Sequence, residues 1–563
     1  MPEPYSLAVH AWIPVALASG QRAFVRLCDI SQHHDGQPIV RIDTGRPDCD
    51  ISLSEFLIGL LTVSIGPKDD REWFKRYCNP PSSNELAAAL KPFEAAFILD
   101  GEGPRFFQDR KALDGTADPV SGLLIDAPGR STTRDNADHF VKRGRTNVLS
   151  RSGAAIVLAT LQTSAPSGGA GHRTSLRGGG PLSTLVVPGA NEGEVPTLWQ
   201  CLWANVVSDL RAEPEDASRV FPWLATTRVS DKAGVTTTPV DVHEGQAFFG
   251  MPRRIRLVFQ ENTGRHACDL LGIVDDSIIT GYVTRPWGTN YTAWDRRHPL
   301  SPYYRPKDTA TEYLPVHLQS SRIGYRQWLD FAFKAEGSLR VPAQTVADFQ
   351  RRAEYLQGDS AYIRQRARML AAGYAMDNMK PLDFGEALMP LIVGGNAEVN
   401  SQIAAQAERL IKAAEAISGQ LLNSVKLALF GERAKADRDS AVLEPVRFRF
   451  WADTEQAFYD VLRDAAEAFH AVKDDLQDQH GAVNLHAGAA WLVHLKRHAF
   501  QIFDETVPID SADSDRIEDL INARKFLVLA LTGYGANGKI VFDQLNQPPP
   551  EKSTKPKKPR KPA

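Results

Sequence analysis

The segment best suited to close approach to a ligand is Ser167-Gly-Gly-Ala-Gly-His-Arg-Thr-Ser-Leu-Arg-Gly-Gly-Gly180. Glycine tolerates positive φ and leaves amide groups bare, so such a loop can meet phosphates or base edges. Arg173 and Arg177 would add charge. The Gly-Lys-Ser/Thr of a P-loop is missing, and no GxGxxG follows a strand. A flexible linker is the plain alternative; the interleaved arginines favour a polyanion.

Three further segments mix cations with aromatics. Arg134–Arg151 embeds His139 and Phe140 among Arg134, Lys142, Arg143, Arg145 and Arg151. Rings beside cations suit unpaired bases, the ring stacking while the charges hold the backbone. A solvated loop with one buried Phe has the same composition. Gly250–Leu257 places Arg253, Arg254 and Arg256 at the start of a strand, and Thr284–Tyr303 adds four aromatics with Arg285, Arg296 and Arg297. One such stretch could be an ordinary aromatic corner; several in one half of a chain make nucleic acid the economical ligand. In Tyr374–Pro381 the turn-forming Asp377, Asn378 and Pro381 would set Asn378, Met379 and Lys380 at the tip of a hairpin or a plain connection.

Catalytic patterns are weaker. His243-Glu244 lacks the second His of HExxH, no GxSxG occurs, and His494 and His498, although spaced i, i+4, have Lys496 and Arg497 between them. The five cysteines are far apart and form no CxxC pair, which fits a reducing compartment and no metal knuckle. Asp50, Glu55 and Asp109 are the acids that a metal-dependent nuclease, the competing reading, would use. A protein scaffold is a third class. The residues themselves point to a binder with no catalytic set, no cofactor and no metal.

The elements that must hold these segments fall into two regimes. At 563 residues, 43% hydrophobic and 24% charged, the chain is globular and long enough for several domains. Residues 1–385 are rich in Gly, Pro, Arg and β-branched residues, and read as an α+β domain. Strands are expected at Ile156–Leu161, Leu182–Val187, Arg254–Phe259 and Ile278–Val283, with helices at Leu53–Leu61, Asn84–Ala96 and Ser360–Ala372. Residues 386–545 show helical spacing and read as a C-terminal four-helix bundle, with Thr454 capping its second helix and Ser511–Asp515 opening its fourth. Residues 546–563 form a basic, Pro-broken tail. Its last 13 residues carry +5, which leaves −8 on the other 550 residues of a chain whose net charge is −3. Nucleic-acid contact must therefore use local patches rather than a global field. The longest nearly apolar run, Phe56–Gly66, is too short for a bilayer and no secretory signal is visible, so no membrane partner and a cytoplasmic location are expected.

Six motifs occur in a telling order: Trp12-Ile-Pro-Val15, Phe106-Phe-Gln-Asp109, Leu176-Arg-Gly-Gly179, Gly250-Met-Pro-Arg-Arg254, Asn290-Tyr291 with His298-Pro-Leu-Ser-Pro302, and Gly373-Tyr-Ala-Met-Asp-Asn-Met-Lys380. Over residues 5–540 the sequence resembles the CasA family, large subunits of the type I-E CRISPR Cascade complex. The resemblance implies a non-catalytic subunit that grips the 5′ handle of the guide RNA and reads the protospacer-adjacent motif (PAM) of target double-stranded DNA from the minor groove. Such a subunit helps open the duplex, contacts other Cascade subunits and docks the CRISPR helicase-nuclease. By position, Phe140 with Lys142 and Arg143 matches the guide-handle loop. Gly168, Gly169, Ala170 and Gly171 match the minor-groove loop, with Ala170 replacing a glycine. Arg285 falls at or beside a cationic DNA contact, and Asn378, Met379 and Lys380 match the hairpin that wedges the duplex. Some relatives carry a cysteine cluster where this chain keeps only Cys268, so no zinc is implied.

Overall fold

The computed structural model describes residues 3–136, 143–169, 171–232, 234–318, 322–334, 338–377, 380–431, 441–472, 477–507 and 516–550. The chain is mixed α and β with a helical C-terminal region, and it divides into two units. Unit 1 comprises Met1–Ile323 and Asp330–Leu391; unit 2 comprises Gly324–Leu329 and Ile392–Ala563. The expected boundary after residue 385 falls inside the strand Lys380–Pro390, which pairs along its whole length with Arg368–Asp377.

Unit 1 is organised around the helix Pro47–Ile65. Proline in its first turn and Asp48 and Asp50 beside it suit a helix N-terminus, and nearly every later residue is buried. Phe56 enters an aromatic cluster with Trp12, Phe106, Phe107 and Phe249, ring centroids 5.4–6.3 Å apart. The helix packs against a second, Arg151–Ser164, which is capped by Ser150 Oγ accepting from Gly153 N at 3.1 Å. That second helix corrects the strand expected at Ile156–Leu161. A short apolar run cannot distinguish a strand from a helix buried on every side, and Ser152–Gln162 is buried throughout.

Two small antiparallel sheets carry the site segments. Arg254–Glu261 pairs with Ser277–Arg285, placing Arg254 opposite Arg285. Ser183–Val187 pairs with Arg368–Asp377, which pairs in turn with Lys380–Pro390. A separate four-stranded sheet runs Arg22–Val25, Ile13–Leu17, Gln37–Ile42, His33–His34. The helix expected over Ser360–Ala372 is confined to Ala361–Gln365. Beyond it the chain becomes a central strand, because Ala371 lies between Thr184 and Ala387 and sheet pairing on both sides overrides the helical preference of alanine and leucine.

In unit 2 the long helices are Ala397–Phe430, Leu443–Ala471, Gln477–Thr506 and Ile517–Leu531, followed by a shorter one, Gly535–Gln544. Thr454 is not a cap. It is buried eleven residues inside its helix, where its hydroxyl donates to Phe450 O and meets Tyr325 Oη at 2.8 Å. A threonine before an apolar stripe mimics a cap in sequence, yet here it satisfies a buried tyrosine. Gly533, at φ +82°, ends the fourth long helix, with Tyr534 N donating to Leu529 O. The expected helix start at Ser511–Asp515 and the tail beyond Pro550 lie outside the described residues. Among the described residues no single helix is long and apolar enough to cross a membrane.

Candidate nucleic-acid interface

The glycine segment forms a loop closed at its base by two main-chain bonds, Ser175 N to Ala165 O at 3.1 Å and Gly180 N to Ser164 O at 3.2 Å. Ser167, Gly168 and Gly169 are exposed at its tip. Gly169 and Gly171 have φ of +85° and +80°, and His172 N donates back to Gly169 O, so the tip is a tight turn. Ala170 lies outside the described residues.

The loop rests on the residues that follow Arg285. Trp287 N donates to Gly171 O at 2.7 Å, and a Cβ on Gly171 would fall 2.8 Å from Pro286 and 2.9 Å from the Trp287 ring. Only a glycine lets the backbone settle this closely. Trp287 itself sits at φ +66°, a strained value for a bulky residue. That main-chain bond and the Arg173 guanidinium, 5.3 Å from its ring centre, hold it there. Arg285 is exposed at the end of its strand, its guanidinium about the backbone of Gly115. Gly168, Gly169, Gly171 and Arg285 thus share one surface region.

The loop base abuts the strand that leads to the expected hairpin tip. A side chain on Gly180 would strike Tyr374 and Met376. Asp377 pairs with Lys380, so only residues 378 and 379 separate the two strands, and Lys380 is exposed. Asn378 and Met379 lie outside the described residues. Below the tip, the Tyr374 hydroxyl donates to buried Asp48, which forms a two-pronged ion pair with Arg46. Burial, and then the charge of Asp48, hold the Tyr374 phenol far above its ordinary range, so it remains a donor. Tyr374→Phe is expected to cost about 1–2 kcal/mol. Hydrogen exchange at residues 371–376 should quicken in proportion, and wild-type protection there would count against this anchoring.

The cations divide sharply into committed and available ones. Arg177, read from sequence as ligand-facing, is 4% exposed and bound to Glu55, Ser183 and Ser301. Arg173 is held by Ser230, Nε to Oγ at 2.9 Å. Arg254 is paired with Asp109 at 2.6 Å, and Arg256 donates to Asp109 O. Arg296 stacks on Tyr313, and Arg297 pairs with Glu244. Of the four aromatics in Thr284–Tyr303, Tyr291 is half-buried, Trp294 and Tyr303 are buried, and Trp287 is 38% exposed. The segment is mostly an aromatic corner after all.

Arg253 was indistinguishable from its neighbours in sequence. Its guanidinium lies against Gly168 and donates to Pro166 O, and burial pulls it down to about 10. Arg143 is exposed and donates to Thr133 O and Asn136 Oδ1 at 2.9 and 3.0 Å, while Phe140 and Lys142 lie outside the described residues.

The acids of the nuclease reading are committed elsewhere. Asp50 accepts from Thr44, Glu55 pairs with Arg177, and Asp109 with Arg254. His494 and His498 share Arg497 between them, and burial lowers both. No group of three or more potential metal ligands occurs among the described residues, and all five cysteines are free.

A family model described as CRISPR-associated protein Cse1 matches residues 7–502. Thermus thermophilus CasA (Cse1) has a similar fold, with a TM-score of 0.67 at 17% identity over 93% of this chain and 99% of that one. The Cse1 of Acidimicrobium ferrooxidans gives 0.64 at 17% identity, covering 97% and 99%. A chain from a structure described as a CRISPR RNA-guided surveillance complex gives 0.60 at 15% identity, covering 94% and 100%.

Proposed function

Because this chain belongs to the CRISPR-associated Cse1 family, we propose that it is the large, non-catalytic subunit of an RNA-guided Cascade surveillance complex. In that setting it grips the 5′ handle of the guide RNA through Phe140, Lys142 and Arg143. It reads the PAM of target double-stranded DNA with the loop Gly168–Gly171 and Arg285, and helps open the duplex with Asn378, Met379 and Lys380. It also offers a docking surface to the helicase-nuclease.

The observation that carries this reading is the seating of the glycine loop on Pro286 and Trp287, directly beside exposed Arg285. A minor groove about 6 Å wide admits a bare backbone turn where a helix would not fit. Its pattern separates mainly A·T from G·C pairs, so such a reader tolerates several related motifs. A nearby cation adds phosphate attraction without sequence preference. In Cas9-type systems the exchange of a DNA duplex for an RNA–DNA hybrid is nearly balanced, so a modest local push at the motif decides whether opening starts.

The test is motif-dependent binding of duplex DNA by the assembled complex, compared with the complex lacking this subunit. Equal binding to motif-bearing and motif-free duplexes by the full complex would defeat the reading. Mg²⁺- or Mn²⁺-dependent cutting of DNA by the purified chain would replace it with an enzyme. Phe140→Ala is expected to weaken retention of the subunit on the guide complex by about tenfold, the stacking of one base being worth about 1–3 kcal/mol. Co-purification at the wild-type level would remove Phe140 from the handle contact.

A further inference from the structure

Beneath the glycine loop lies a buried arginine that has no carboxylate partner among the described residues. Arg177, Arg254 and Arg352 are buried or nearly so, and each has a carboxylate partner: Glu55, Asp109 and Asp70. Arg253, 8% exposed, has none among the described residues. Its Nη2 donates to the neutral Pro166 O, its Nε is buried without any partner, and its Nη1 lies where a side chain on Gly168 would have to go. Arginine stays protonated in proteins, so the chain holds a full positive charge in a poorly solvated place. An isolated buried charge is unfavourable unless something supplies the counter-charge. On its loop side it lies against the bare backbone of Gly168, itself exposed, where an added Cβ would fall 2.4 Å from Nη1.

We infer that Arg253 is a phosphate-binding residue, its missing counter-charge supplied by a backbone phosphate of the duplex that docks on the Gly168–Gly171 loop. This rests on the proposed reading of that loop as a DNA contact and adds to it a specific electrostatic anchor. The absence of a side chain at residue 168 is then functional twice, giving the loop its slim profile and leaving the cation beneath it within reach of an anion. Low-dielectric surroundings strengthen the field that such a charge projects through the loop. A phosphate contact positions the duplex but carries no sequence information. Arg253 therefore sets affinity, and the loop sets preference.

The test is Arg253→Gln in the assembled complex, with duplex binding measured across a salt series. Glutamine can still donate to Pro166 O, so the variant removes the charge and keeps a hydrogen bond. The expected result is about tenfold weaker binding at fixed salt. The slope of log affinity against log salt should become shallower by about 0.9, the value for one released counterion. Discrimination between motif-bearing and motif-free duplexes should be unchanged, and Arg253→Lys should restore the slope. The free Arg253→Gln chain should melt no lower than wild type, because the change removes an uncompensated charge. An unchanged slope, or a variant that melts far lower or fails to fold, would show the arginine to be a structural brace and overturn the inference. Loss of motif-dependent binding in the wild-type complex would instead strike the reading of the loop itself, so the two failures are distinguishable.

Discussion

Glu55→Ala is expected to destabilise unit 1 by about 3–5 kcal/mol, because it leaves the Arg177 guanidinium buried with only hydroxyl partners. Glu55 comes from the central helix, Arg177 from the glycine segment, and both are 4% exposed or less. Ser183 donates to Glu55, and Ser301 accepts from Arg177, so the pair ties four separate stretches of chain together. His298, 3.9 Å from Glu55, is held far below its ordinary value first by burial and then by Arg177. It is therefore neutral and cannot take over as the counter-charge. The measurement is denaturant unfolding followed by tryptophan fluorescence, since seven of the ten tryptophans belong to unit 1. Joint replacement by Glu55→Leu and Arg177→Met should recover most of the loss, as apolar exchange of a whole buried pair often does. A single variant within 1 kcal/mol of wild type, with no coupling in the double-mutant cycle, would refute the assignment.

Replacing Asn378 and Met379 together by glycine is expected to slow strand opening in target DNA by about 10–100-fold while guide assembly continues. Inserting a wedge between base steps offsets unstacking worth a few kcal/mol, and each 1.4 kcal/mol lost is a factor of ten in rate. The change spares the hairpin itself. The register places Asp377 against Lys380, and two-residue connections accept Gly-Gly well. The Tyr374–Asp48 anchor lies below the altered positions. Permanganate reactivity of thymines beside the motif, followed in time, reads the opening directly. Wild-type kinetics in that assay would remove the wedge role, whatever the fate of the glycine loop.

Composition and helical spacing made the α+β plan and the helical C-terminal region legible, and the strands expected at the short apolar runs Leu182–Val187, Arg254–Phe259 and Ile278–Val283 occur within a residue or two of those bounds. The failures share a physical cause. Ile156–Leu161 is buried on every side and Met369–Ala372 is an unbroken apolar run, and without a polar face neither period leaves a mark in sequence. The site was legible as a set of glycines and cations, but not in its division of labour. Arg177, Arg253, Arg254 and Arg285 look alike on paper. Whether each is neutralised, stranded or free depends on where Glu55 and Asp109 arrive from more than a hundred residues away. In sequence Trp287 is one aromatic among four, because the positive φ that lets it carry the glycine loop has no signature in tryptophan.

Only Pro181 and Leu182 separate Gly180, seated against Tyr374 and Met376, from Ser183, which already pairs with Ala372. Loop and hairpin are therefore tethered at a fixed interval rather than hinged. Engineering a different DNA preference by transplanting a homologue's loop is expected to succeed only where the donor keeps that two-residue interval. A graft that lengthens it would shift the prying tip along with the recognition surface, altering target choice and opening speed together.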